Sequence, residues 1–244
     1  MSYNETMMLA LYDFFSGPGL AASLAVFALG FFVQTVRYVR GLGWRRDRLA
    51  YRAMPAQAAL GAAWSLWAWL LPFGNRSSRS HPWLTLASVA FHGSLILLAI
   101  AQPGHAALRR IHSGAIWFAL PQTASDALAV AALGALAILA GRRLLSPALR
   151  FLTTWRDWLL IVLCALMLGS GLLAGLDSGG RFLERLPQVS PWLVVHMGVS
   201  ELFLILAPFT FLAHMVFFFL SRIQLGIDFA VKRGGRKRGA AFPW

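Results

Sequence analysis

The chain has a single cysteine, Cys164, in 244 residues. One thiol excludes a disulfide, an iron–sulfur cluster or a CxxCH haem attachment supplied by this chain alone. Its place inside an apolar stretch makes Cys164 a small packing residue. Acids are scarce too: nine Asp and Glu stand against 22 Lys and Arg, a net charge of +13. Charged residues of both signs make up only 13% of the chain, against roughly 25% in soluble domains. A Gly-rich phosphate loop, a solenoid repeat and a second soluble domain are all missing from the sequence. In so apolar a chain the basic excess reflects positive cytoplasmic loops and attraction to membrane lipid, not nucleic-acid binding.

What the sequence does have is long apolar runs. A spanning helix needs about 20 mostly apolar residues, and five stretches meet that length: 17–36, 83–101, 122–141, 155–176 and 191–220. They predict an all-α integral membrane protein, one domain over 1–244 built as a five-helix bundle. The first stretch follows a polar start, Ser2 to Thr6, without a basic n-region, and reads as a retained anchor rather than a cleaved signal. A sixth apolar segment, 54–73, carries Trp64, Trp67 and Trp69 between Pro55 and Pro72. Charge decides whether it is a span. The segment 37–52 holds six arginines and one aspartate, the loop 142–156 four arginines, and the tail 221–244 six Lys and Arg. Five crossings put all three on the cytoplasmic side with the N-terminus outside, in the inner membrane of a bacterium or archaeon. Segment 54–73 then becomes an interfacial or re-entrant helical segment.

Histidine is expensive in hydrocarbon unless it faces the bundle interior and has a role. His92, His196 and His214 lie within predicted spans, and His105 lies just beyond the second. An uninterrupted helix would place His196 and His214, eighteen residues apart, on one face at about 27 Å, a spacing suited to two stacked cofactors. Antiparallel neighbours would then oppose His92 to His214 on the inner side and His105 to His196 on the outer side. His105 needs a break in its helix, because thirteen residues of regular helix turn it roughly 140° from His92. Pro103 and Gly104 are placed to make that break.

Several of these residues resemble the nitrate reductase gamma subunit family. The run Gly141-Arg-Arg-Leu-Leu-Ser-Pro147 ahead of an apolar helix from Trp158, Phe91-His92 in the second span, and Pro208-Phe209-Thr210 six residues before His214 carry the likeness over nearly the whole chain. It implies a cytochrome b with two bis-histidine haem b groups: His92 and His214 on the inner iron, His105 and His196 on the outer. It also implies electron exchange between a quinone (menaquinone or ubiquinone) and a cytoplasmic iron–sulfur subunit, alongside other membrane and periplasmic redox subunits. The sequence departs from the family pattern in two places. Gln102 stands ten residues after His92, where the family has its second ligand, so that role passes to His105, and Phe211 replaces a basic residue before the last ligand. The insert around Trp64 resembles the branch paired with heterodisulfide-reductase-like iron–sulfur proteins.

Two acids lie in spans, Glu201 and Asp126, and either is costly unless paired or functional. Together with His112 they are candidates for quinone contact and proton uptake; the alternative for each is a hydrogen bond between helices or to a ligand histidine. Arg109 and Arg110 are candidates for haem propionates or for anchoring at the interface, and Asp157 for a helix-terminal charge. Two other classes fit the same composition: a haem-free membrane anchor subunit, and a proton or metal transporter using Glu201, Asp126 and the histidines.

Overall fold

A computed structural model describes residues 3–42, 52–116, 118–178 and 189–232. The arginines of 43–51 and the tail beyond Lys232, on which much of the topology argument rests, lie outside the described residues. Helices make up most of the described residues, and no strand occurs among them. In chain order they are α1 (Tyr3–Ser16), α2 (Pro18–Gly41), α3 (Pro55–Leu70), α4 (Arg76–Ser80), α5 (Pro82–Ala101), α6 (Pro103–Ser113), α7 (Gln122–Leu145), α8 (Pro147–Leu152), α9 (Trp155–Ser178), α10 (Pro191–Leu206) and α11 (His214–Lys232). Six described stretches are long and apolar enough to cross a bilayer: Glu5–Gly41, Pro82–Ala101, Gln122–Leu145, Trp155–Ser178, Pro191–Phe209 and Phe211–Val231. The chain is a multi-pass helical membrane protein. Its surface agrees, with Leu29, Phe32, Val130, Ile138 and Phe151 among many large apolar side chains facing outward.

The stretch expected as one span at 191–220 is two helices. Pro208 has no N–H to continue α10, and Thr210 is extended (φ −127°, ψ −173°) between the 3-10 turns Ala207–Phe209 and Phe211–Ala213. Thr210 Oγ1 accepts from Leu212 N, and Gln34 Nε2 donates to the Pro208 carbonyl at 3.2 Å, so side chains satisfy groups the break sets free. The eighteen residues between His196 and His214 are therefore not five turns of one helix. The shared face and the spacing of about 27 Å rest on an unbroken helix, and among the described residues that helix ends at Leu206.

The residues group into two compact units, Met1–Phe27 with Ala87–Ala207, and Ala28–Leu86 with Pro208–Trp244. In the first, α9 packs on α10 and α7, and α1 lies on α10. The face of α7 toward this core is nearly all small: Ser125, Ala129, Ala132 and Ala135 are buried, with Ala132 wholly inaccessible. Small residues at helical spacing let backbones approach where lipid supplies no hydrophobic drive between helices. Leu163, Cys164, Leu168 and Ala174 answer from α9, so Cys164 is a packing residue. At the start of α9, Asp157 accepts from Thr154 N at 2.7 Å and from Thr154 Oγ1 at 2.8 Å, making it a helix-terminal charge.

In the second unit, segment 54–73 is a helix of 16 residues, α3, packed along α11. The helices touch through glycine: a Cβ on Gly61 would strike the backbone oxygen of Gly226, and one on Gly226 the backbone oxygen of Gly61. Asn75 closes the connection to α4, donating to Ala68 O at 3.3 Å while its Oδ1 accepts from Ser78 N at 2.8 Å.

Candidate functional site

The clearest polar constellation lies in the first unit, where α5 gives way to α6. Helix α5 ends at Ala101, Gln102 is extended (φ −65°, ψ 136°), and its side-chain oxygen caps α6 by accepting from His105 N at 3.0 Å. Arg109 reaches back to the carbonyls of Ala99 (3.1 Å) and Ile100, covering the open end of α5. The break lies where Pro103 and Gly104 suggested. It carries His105 out of the periodicity of α5.

His105 then meets His196 of α10, with ring centres 5.9 Å apart and planes 20° from parallel. Each ring is held by its Nδ1, at 2.9 Å from Leu98 O for His105 and 2.9 Å from Met167 O for His196. A carbonyl can only accept, so each Nδ1 carries the proton and each Nε2 of the neutral ring keeps its lone pair. That is the tautomer a metal ligand needs, fixed by the outer hydrogen bond that such ligands use. Two imidazoles bonded to opposite sides of one metal at about 2 Å per bond have ring centres about 6 Å apart. The pair has that spacing and that tautomer. Burial, with Arg109 nearby, holds the His105 imidazole below its ordinary pKa, in the neutral form.

Gly171 of α9 makes room for the His196 ring. A Cβ there would lie 2.9 Å from Cε1 and 3.0 Å from Nδ1. One turn further, at Gly175, a Cβ would lie 2.5 Å from Gln122 Nε2 and 3.2 Å from Asp126 Oδ1. Gln122 in turn donates to Asp126 at 2.7 Å. The sequence reading missed this face, although Gly171-Leu-Leu-Ala-Gly175 is a small-xxx-small signature in an apolar run.

The three quinone and proton candidates have different neighbours. Asp126 faces α9 and is engaged by Gln122. His112 is exposed, its Nδ1 donating to Leu108 O at 2.9 Å within α6. Glu201 is buried against α2, where a Cβ on Gly19 would lie 2.8 Å from its Oε2, and Glu201 Oε1 has no hydrogen-bond partner. A buried carboxyl oxygen left unpaired is costly.

The other two ligand candidates lie on other helices, His92 on α5 and His214 on α11. His92, in the first unit, is exposed on α5 with Nδ1 donating to Ser88 O at 2.8 Å. His214, in the second, opens α11 and donates from Nδ1 to Phe211 O at 2.7 Å. It lines a cavity of about 310 Å³ with Gln34, Phe209, Thr210, Phe211 and Phe217. In both rings Nδ1 is the nitrogen engaged by a carbonyl, and Phe209, Phe211 and Phe217 give the cavity beside His214 aromatic walls. No cluster of three or more His, Cys, Asp or Glu fit to hold a metal ion occurs among the described residues.

Fold and site thus define a class, a multi-pass helical membrane protein with a pair of contacting histidines carried by two helices. No family model and no solved structure matches the chain. It is 42% identical over 234 residues to a protein of Nitratidesulfovibrio vulgaris (strain Hildenborough), covering 96% of this chain and all of the relative. The chain belongs to the family of that protein.

Proposed function

We propose that the chain is a cytochrome b membrane subunit, of the kind the nitrate reductase gamma likeness implies, working between the quinone pool and a cytoplasmic iron–sulfur partner. The observation that carries this is the His105–His196 couple, with both Nδ1 atoms bonded to carbonyls and ring centres 5.9 Å apart. Haem b, when bound, supplies reversible one-electron chemistry. His105 and His196 would hold the outer group, Leu98 and Met167 carbonyls fix their orientation, and Gly171 leaves the ring its space. A second haem rests on the sequence reading, which gives it His92 and His214. Non-covalent attachment follows from the lone Cys164, so acid–acetone should extract the haem completely, and its pyridine haemochrome should have the haem b spectrum. Haem retained by the extracted protein, or a purified chain without haem, would overturn the reading in favour of another cofactor or a haem-free anchor.

Within this reading Glu201 is the proton carrier. Oε1, buried and unpartnered, is five residues from His196 on α10 and has no structural bond to lose on protonation. Asp126 is already bonded to Gln122 and serves as a helix-packing group. Glu201→Gln should slow reduction by a menaquinol analogue while the absorption bands stay unchanged. Wild-type kinetics in that variant would reduce Glu201 to a packing residue.

With five crossings, the arginine distribution orients the chain in the cytoplasmic membrane with its N-terminus outside and C-terminus inside, where basic loops can dock an acidic iron–sulfur partner. Alkaline phosphatase fused after Trp244 should be inactive and a cytoplasmic reporter at the same place active. The reverse pattern would invert the topology.

A further inference from the structure

In the second unit the Arg222 guanidinium carbon lies 4.2 Å from the centre of the Trp69 ring, and Phe218 meets the same ring edge-on at 6.5 Å. Arg222 Nε and Trp69 Nε1 are both buried, and neither has a hydrogen-bond acceptor. The cation–π contact accounts for the indole face but not for these N–H groups, since the indole N–H points out from the ring edge. Both groups are donors only. Buried donors are nearly always paired, and beside a guanidinium the fitting acceptor is an anionic oxygen.

We propose that Arg222 and Trp69 form a binding site for an anionic oxygen, the carboxylate of a haem side chain or the phosphate of a lipid headgroup. The first source rests on the cytochrome reading, and the second stands without it. Three side chains four residues apart, His214, Phe218 and Arg222, share one face of α11. Arg222 is thus about 12 Å along the axis from the histidine that lines the cavity. It also supplies a basic group to this unit, where Phe211 takes the place of the family's basic residue. Trp69 is held to this face by the Gly61–Gly226 contact between α3 and α11.

The test uses the full chain purified with its native lipid, comparing wild type with Arg222→Gln, Arg222→Lys and Trp69→Phe. Trp69→Phe keeps a ring face and removes the N–H; Arg222→Lys keeps the charge and removes the fork. Two quantities are read: the midpoint potential of each haem, and the anionic phospholipid retained after detergent washing. If the ligand is a haem carboxylate, Arg222→Gln moves one haem to lower potential with its bands unchanged, because lost positive charge favours the oxidised form. If it is a lipid phosphate, the potentials hold and the retained phosphatidylglycerol falls. In either case Trp69→Phe shifts the same quantity by less. A preparation without haem defeats the cytochrome reading but leaves the lipid measurement to decide this one. Wild-type values of both quantities in all three variants would overturn the proposal and leave Arg222 a packing cation.

Discussion

Replacing either His105 or His196 with alanine should remove one and the same haem, and Gly171→Val should remove it with both histidines still in place. The first expectation follows from opposed ligation, since losing either ring leaves the iron with a single axial bond. The second follows from space. A Cβ at residue 171 would lie 2.9–3.0 Å from two atoms of the His196 ring, so valine's methyl groups must drive the ring off the Met167 carbonyl. Ligand orientation depends on that bond, and loss of such an outer partner weakens metal binding about 10- to 100-fold. Gly171→Ala should lose part of the haem, because a few tenths of an ångström of ring movement accommodates one methyl. Gly169→Ala is the control, since a Cβ at residue 169 meets nothing within 4 Å. The measurements are haem-to-protein ratio and the number of redox components on titration. If the two histidine variants lost different components, the pairing would be wrong. If neither lost haem, the couple would be a structural contact.

Which parts of this were legible in the sequence follows from the range of the forces involved. Apolar length is a local property, so the helices at 83–101, 122–141 and 155–176 appear in the structure within a few residues of where composition places them. The break at Gln102 was also local, because a proline and a glycine announce it. The break at Pro208 was equally visible as Pro208-Phe209-Thr210. The missing N–H of Pro208 ends the helix there, so the apolar length of 191–220 holds two helices. Tertiary facts were not readable in this way. Nothing in the spacing says that Arg109 turns back to the carbonyls of α5, that Gln122 engages Asp126, or that Glu201 lies against Gly19. Each depends on which helix becomes the neighbour. The glycine faces fall between these cases: Gly171 and Gly175 show their spacing in sequence, but only the packed helices show that one receives a histidine.

The same reasoning makes the contact of α3 with α11 the most sensitive point in the second unit. At most helix crossings a flexible side chain can yield to an added methyl, but here the opposing atoms are backbone. A Cβ on Gly61 would meet Gly226 O and lie 2.6 Å from Ala230 Cβ; one on Gly226 would meet Gly61 O and lie 2.8 Å from Ser65 Cβ. Neither carbonyl can move without opening its own helix, so the axes must separate. Contacts along both helices are then lost, including those of Trp69 with Phe218 and Arg222. Overpacking a fitted interior typically costs about 1–3 kcal/mol, and a backbone-lined contact belongs at the upper end. Alanine is favoured over glycine within a helix by about 1 kcal/mol, which offsets only part of this. Gly61→Ala and Gly226→Ala should each lower the melting temperature in detergent, followed by tryptophan fluorescence. The double variant should be less damaging than the sum, because the first methyl has already parted the helices. Gly134→Ala in α7, where a Cβ meets nothing within 4 Å, should melt at or above the wild-type temperature. A Gly226→Ala protein as stable as Gly134→Ala would show that the two backbones do not touch, and with that the close approach of α3 and α11 would fall.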